Sequence, residues 1–120
     1  MLSVASLERM QQEAASTEPV DPRRFRMLIG VSGTAAHEED EWIGRRVRVG
    51  DAVVVPAGNV GRCVVTTRDP ETAEPTLDTL ELLARYRRDI GTTEELAFGV
   101  WAHVEQPGTV RVGDPVVVEP

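Results

Sequence analysis

Cys63 is the one residue of the chain that offers both a nucleophile and a soft metal ligand, and it is the only cysteine among 120 residues. It lies in Arg62-Cys63-Val64-Val65-Thr66-Thr67-Arg68-Asp69-Pro70, an apolar run bracketed by arginines and closed by a turn signal, which reads as a strand. A guanidinium beside a thiol favours the thiolate, the form that attacks electrophiles and binds soft metals. A lone cysteine forms no disulfide within its own chain, which leaves packing, redox chemistry and metal ligation. On residue type alone packing has the stronger claim, because cysteine is among the most buried side chains and valines follow this one.

The other chemically capable residues are dispersed. His37 and His103 are far apart, without zinc-site spacing, and read as structural or solvated. Glu38-Glu39-Asp40-Glu41 reads as a solvated acidic loop with no catalytic role. No phosphate-binding glycine loop, serine elbow or nucleotide fingerprint is present. All 13 basic residues are arginine, so a lysine Schiff base is excluded and pyridoxal phosphate is not expected. Arginine suits bidentate phosphate or carboxylate contacts, although codon usage is the stronger account of such a bias. The net charge of −7 argues against non-specific nucleic-acid binding. No run approaches a membrane span and the start lacks a signal-peptide profile, so a cytoplasmic location is expected, with no membrane partner.

The elements that must position Cys63 follow from periodicity. Val4, Leu7, Met10 and Ala14 are spaced as one face of a helix over 3–15, with Ser3 as N-cap and a loop over 16–22. Phe25 to Val31 reads as a strand. From Arg46 the period becomes two, with strands at 46–49 and 52–55 separated by Gly50-Asp51. Val47-Arg48-Val49-Gly50-Asp51 returns letter for letter at Val110-Arg111-Val112-Gly113-Asp114, each copy preceding a valine-rich strand, which predicts an antiparallel meander cornered by glycines at positive φ. Leu77, Leu80, Leu83 and Ala84 give the stripe of a second helix capped by Thr76, ended by Arg85, Arg87 and Arg88, and stopped by Gly91. Residues 97–104 read as a strand with Phe98, Val100 and Ala102 on one face and Trp101 and His103 on the other. The sum is a single, mostly β, barrel-like domain with two short helices, a helix and loop over 1–22 preceding a β-rich core over 23–120.

Four strings resemble the MOSC family, named for the C-terminal domain of molybdenum cofactor sulfurase. They are Asp21-Pro22-Arg23-Arg24-Phe25-Arg26, Glu39 through Asp51, Arg62 through Thr72, and Phe98 through Ala102 with Pro107 through Asp114. They occur in family order across nearly the whole chain. The resemblance implies a β-barrel-like domain that binds the molybdenum cofactor, with Cys63 as the metal ligand and catalytic residue. It further implies Arg24 and Arg26 as contacts to the cofactor's phosphate, Arg62 as support for the thiolate, and Thr66, Thr67 and Asp69 as contacts to pterin or shapers of the pocket. The implied activity is an oxidoreductase reducing N-hydroxylated small molecules with electrons from a partner; the alternatives are a sulfur or cofactor carrier, or an inactive fragment. Met27-Leu28 stands where the family often has Pro-Asn, and residues 57–61 lack the second cysteine of some members, which disfavours a two-cysteine sulfur shuttle. Family domains normally carry more chain before the helix near Ser3, so an N-terminally truncated domain is expected, with open sheet edges pairing into a homodimer.

Overall fold

The computed structural model describes residues 1–120 and arranges them as two helices and six strands in a mixed α/β fold. β1 (Leu2–Ser3) runs directly into α1 (Val4–Glu13), and β2 (Gly30–Val31) pairs with β1 in parallel. β3 (Val47–Val49), β4 (Ala52–Gly61), β5 (Ala97–Gln106) and β6 (Val116–Val118) form an antiparallel sheet in the order β5-β4-β3-β6. Val100 N–H donates to the Met1 carbonyl at 2.9 Å, which sets β1 beside β5. The strands therefore follow an arc whose two ends, β2 and β6, line the same apolar groove with Trp42 and Val49. The barrel expected from the sequence is not closed. Two edges remain because β1, β2, β3 and β6 are each only two or three residues long, too short to carry pairing around the gap.

Ser3 caps α1 as its type predicts, its Oγ accepting from Ser6 N–H at 3.1 Å. Met10 and Ser6 form the buried face while Val4 is exposed, so the stripe is rotated from the one the apolar residues suggest. The expected strand over 25–31 is reduced to two residues. Asp21 caps a 3₁₀ turn at Pro22–Arg24, where proline's fixed φ suits the first position, and Arg26 follows at φ 52. The repeat behaves as two turns sharing one cause, with Gly50 at φ 56 and Gly113 at φ 92, but only its first copy is a strand. Pro56 sits in β4 beyond the last residue paired with β3, where its missing N–H breaks no ladder on that side.

α2 (Thr79–Tyr86) is capped by Asp78, not Thr76, because the Thr76 hydroxyl accepts from Arg24 at 2.5 Å. Leu82 and Leu83 carry its burial against Leu2, Met10, Phe25 and Phe98. A second cluster holds Val31, Trp42, Val47, Val49, Val54 and Val100. Phe98 and Val100 thus serve different clusters, although strict alternation would put them on one face. Gly99 at φ 86 lies between them and resets the strand.

Candidate functional site

β4 ends at Gly61, and the Arg62–Thr67 segment turns out of the sheet instead of continuing as a strand. Arg62 N–H still reaches the Leu96 carbonyl at 3.1 Å, after which Val64–Thr67 winds into a 3₁₀ turn begun by Cys63. The Cys63 carbonyl accepts from Thr66 N–H at 3.1 Å and from Thr66 Oγ1 at 2.9 Å. This local bonding competes with a strand ladder, which is how threonine overrides an otherwise β-like run. Val64 and Val65 are 59% and 55% exposed, and the Cys63 thiol is free and exposed. The packing role favoured by residue type is therefore overturned: the thiol is presented to solvent.

Thr66 is buried, and its hydroxyl also meets Thr79 Oγ1 at 2.7 Å, fastening the Cys63 turn to the start of α2. Thr67 Oγ1 donates to the Val64 carbonyl at 2.6 Å. The Asp69 carboxylate accepts from Glu71 and Thr72 N–H groups at 2.8 and 3.0 Å, and these backbone donors hold it below the usual carboxylate range. Thr66, Thr67 and Asp69 thus have their polar atoms engaged in shaping the loop that carries the cysteine.

Arg24 crosses from the Pro22–Arg24 turn to this loop, donating to the Thr66 carbonyl at 3.4 Å and to Thr76 Oγ1. Arg23 reinforces the junction through Asp21 at 2.7 Å and Glu71 at 3.2 Å. Arg26 stands apart on the exposed rim, where it lines an open hollow with Pro22, Arg23 and Met27. The Arg62 guanidinium lies over the Phe25 ring and donates to the carbonyls of Phe98 and Phe25. Desolvation pulls it down to about 10, with Cys63 opposing the shift, so it stays charged at neutral pH. The structure therefore brings Cys63, Arg62, Arg24 and Thr66 into one junction, with Thr67 and Asp69 on the same loop and Arg26 at its edge.

The acidic segment departs furthest from expectation. Glu38–Trp42 is a 3₁₀ turn, and Glu39 is fully buried, its Oε1 accepting from Ser3 N–H at 3.1 Å and Ser6 Oγ at 3.0 Å. Asp40 binds Arg87 at 2.6 Å and accepts from Asn59 Nδ2 at 2.7 Å. Arg87, which the helix pattern placed among the arginines that end the second helix, is 5% exposed and also donates to the Ala97 carbonyl at 2.8 Å. The available signal was Trp42, three residues after Glu39. Side chains at that spacing share a face of a 3₁₀ turn, so a buried tryptophan carries the glutamate inward. His37 Nε2 lies 3.1 Å from the Tyr86 hydroxyl, and burial, with Arg87 and Arg9 adding to it, lowers the imidazole to about 3.

No group of three or more His, Cys, Asp or Glu side chains is arranged to hold a metal ion, and Cys63 offers a single soft ligand. The donor chemistry fits the cofactor that the resemblance implies: a solvent-facing thiol for a soft metal, and guanidinium groups for an oxyanion. Fold and junction together define a small α/β domain that displays one thiol on an arginine-braced turn. The MOSC domain model matches residues 1–117, and the chain belongs to that family.

The mouse (Mus musculus) mitochondrial amidoxime-reducing component 1 is 35% identical over 97% of this chain and 35% of its own length. The human mitochondrial amidoxime reducing component 2 is 38% identical over 77% of this chain and 29% of its own. Rice (Oryza sativa subsp. japonica) molybdenum cofactor sulfurase is 30% identical over 72% of this chain and 10% of its own. The chain thus spans about a third of the first of these relatives, at 35%. Among solved structures, the YUAD protein of Bacillus subtilis shares the fold at a TM-score of 0.63 and 17% identity, over 96% of this chain and 59% of that one. No helix is long and apolar enough to cross a membrane.

Proposed function

We propose that this MOSC domain binds the molybdenum cofactor and belongs to an oxidoreductase that reduces N-hydroxylated small molecules with electrons from a carrier protein. The observation that carries the reading is the exposed, unpaired Cys63 thiol on a turn braced by Arg62 and Arg24. Relatives named for amidoxime reduction support the substrate class, because an amidoxime is an N-hydroxylated amidine. Cys63 would hold the metal, Arg24 and Arg26 would face the cofactor's phosphate, and Thr66, Thr67 and Asp69 would keep the loop in shape. When bound, the cofactor supplies two-electron chemistry that the side chains lack. In the overall reaction the N–O bond breaks, two electrons from the carrier and two protons enter, and an N–H product and water leave.

Expression in a cofactor-producing host followed by metal analysis tests this. One molybdenum per chain in the parent, and none in Cys63→Ser at unchanged stability, is the expected result. Equal molybdenum in both proteins refutes the assignment. A second reading, a sulfur carrier, is favoured by the similarity to a molybdenum cofactor sulfurase. A persulfide trapped on Cys63 in a molybdenum-free parent would select it.

A further inference from the structure

We infer that Arg62 is a positioning residue: it holds Cys63 and the Arg24–Arg26 turn in one frame through carbonyl contacts, and does not act chiefly as the thiolate's counter-charge. The inference rests on the reading of Cys63 as the metal ligand. All three guanidinium nitrogens are committed to carbonyls, with Nε and Nη2 on the Phe98 oxygen at 2.9 and 2.6 Å and Nη1 on the Phe25 oxygen at 2.9 Å. Phe25 lies between Arg24 and Arg26, and Arg62 adjoins Cys63. One planar group therefore ties the cysteine turn, the arginine turn and β5 together.

The chain is shaped to receive it. The β4–β5 register shifts between Asn59 and Gly61, pairing Asn59 with Val100 and Gly61 with Ala97, so Phe98 and Gly99 have no partner on β4. The Phe98 carbonyl is thereby left for Arg62. Gly99 adopts φ 86, and a Cβ there would stand 3.0 Å from the Met1 carbonyl oxygen and 3.5 Å from Arg62 Nη2. The rings of Phe25 and Phe98 meet at 4.5 Å, closing the apolar side of the same junction. Lysine would keep the charge but cannot form this three-point planar contact.

The test separates charge from geometry with Arg62→Lys. A nitroxide attached to Cys63, the single exposed thiol, should show a restricted spectrum in the parent and a markedly more mobile one in R62K. Molybdenum-cofactor affinity should fall roughly 10- to 100-fold, the scale of lost supporting contacts around a metal ligand. Because R62K keeps the charge, parental mobility and parental loading in that variant would overturn the positioning role in favour of a charge role. Should R62K not fold, the Arg62 Nε–H signal in the parent decides: protection from solvent exchange supports the staple, and exchange at the rate of the exposed arginines refutes it. A parent that binds no cofactor defeats the proposed function, while the spectra still judge Arg62.

Discussion

Replacing Asp40 with alanine removes the partner of a buried guanidinium and should be among the most damaging single changes available. The Arg87 side chain is 2% exposed and Asp40 is 20% exposed, with 2.6 Å between them. Breaking a buried pair on one side costs about 3–5 kcal/mol, and the partial exposure of Asp40 lets water compensate, which favours the lower figure. The lost acceptor for Asn59 adds about 1 kcal/mol, giving about 4 kcal/mol in all. With a urea slope of about 2 kcal/mol/M for a small domain, the midpoint should fall by about 2 M. Equilibrium unfolding followed by circular dichroism measures this. Pairing Asp40→Ala with Arg87→Met should recover much of the loss, because an apolar replacement leaves no stranded charge. A midpoint for Asp40→Ala within about 0.3 M of the parent, well under 1 kcal/mol at that slope, would refute the reasoning.

Glu39→Ala strands the Ser3 N–H and the Ser6 hydroxyl, so a loss of about 2–4 kcal/mol is expected in the same assay, with Glu39→Gln milder because its amide oxygen can replace Oε1. His37 is neutral in the folded protein down to about pH 3, against an ordinary value of 6.5. The unfolded chain therefore takes up the extra proton between those values, and the His37 contribution to stability is complete above pH 6.5 and declines as pH falls toward 3. His37→Gln should flatten that acid-side slope, and an identical pH profile in the variant would contradict the assignment. Pairing of the open edges β2 and β6 into a dimer is a further proposal, for which sedimentation velocity should show a concentration-dependent dimer; a strict monomer across micromolar concentrations would dispose of it.

Local chemistry was legible wherever neighbours in sequence decide the outcome. Ser3 caps α1, Gly50 and Gly113 turn the chain, and the strand expected over 97–104 forms and runs on to Gln106, because caps, positive-φ turns and alternating runs depend on a few adjacent residues. The family motifs likewise singled out Cys63 and the residues around it. The same local reasoning failed where distant groups compete for a residue. Thr76 is taken by Arg24 and cedes the cap to Asp78, and Thr66 draws the Cys63 carbonyl into a turn.

By itself, then, the sequence determined that there is one thiol, no lysine, and a set of arginines ordered along the chain as in the MOSC family. Tertiary structure alone decided that the thiol faces solvent, that the neighbouring guanidinium is spent on the Phe98 and Phe25 carbonyls, and that two of four adjacent acids turn inward. The last two share one physical reason. A polar or charged group leaves water only where fixed partners replace its hydration: Arg87 does so for Asp40, the unpaired bulge of β5 for Arg62, and Ser3 and Ser6 for one oxygen of Glu39, all at least 33 residues away along the chain.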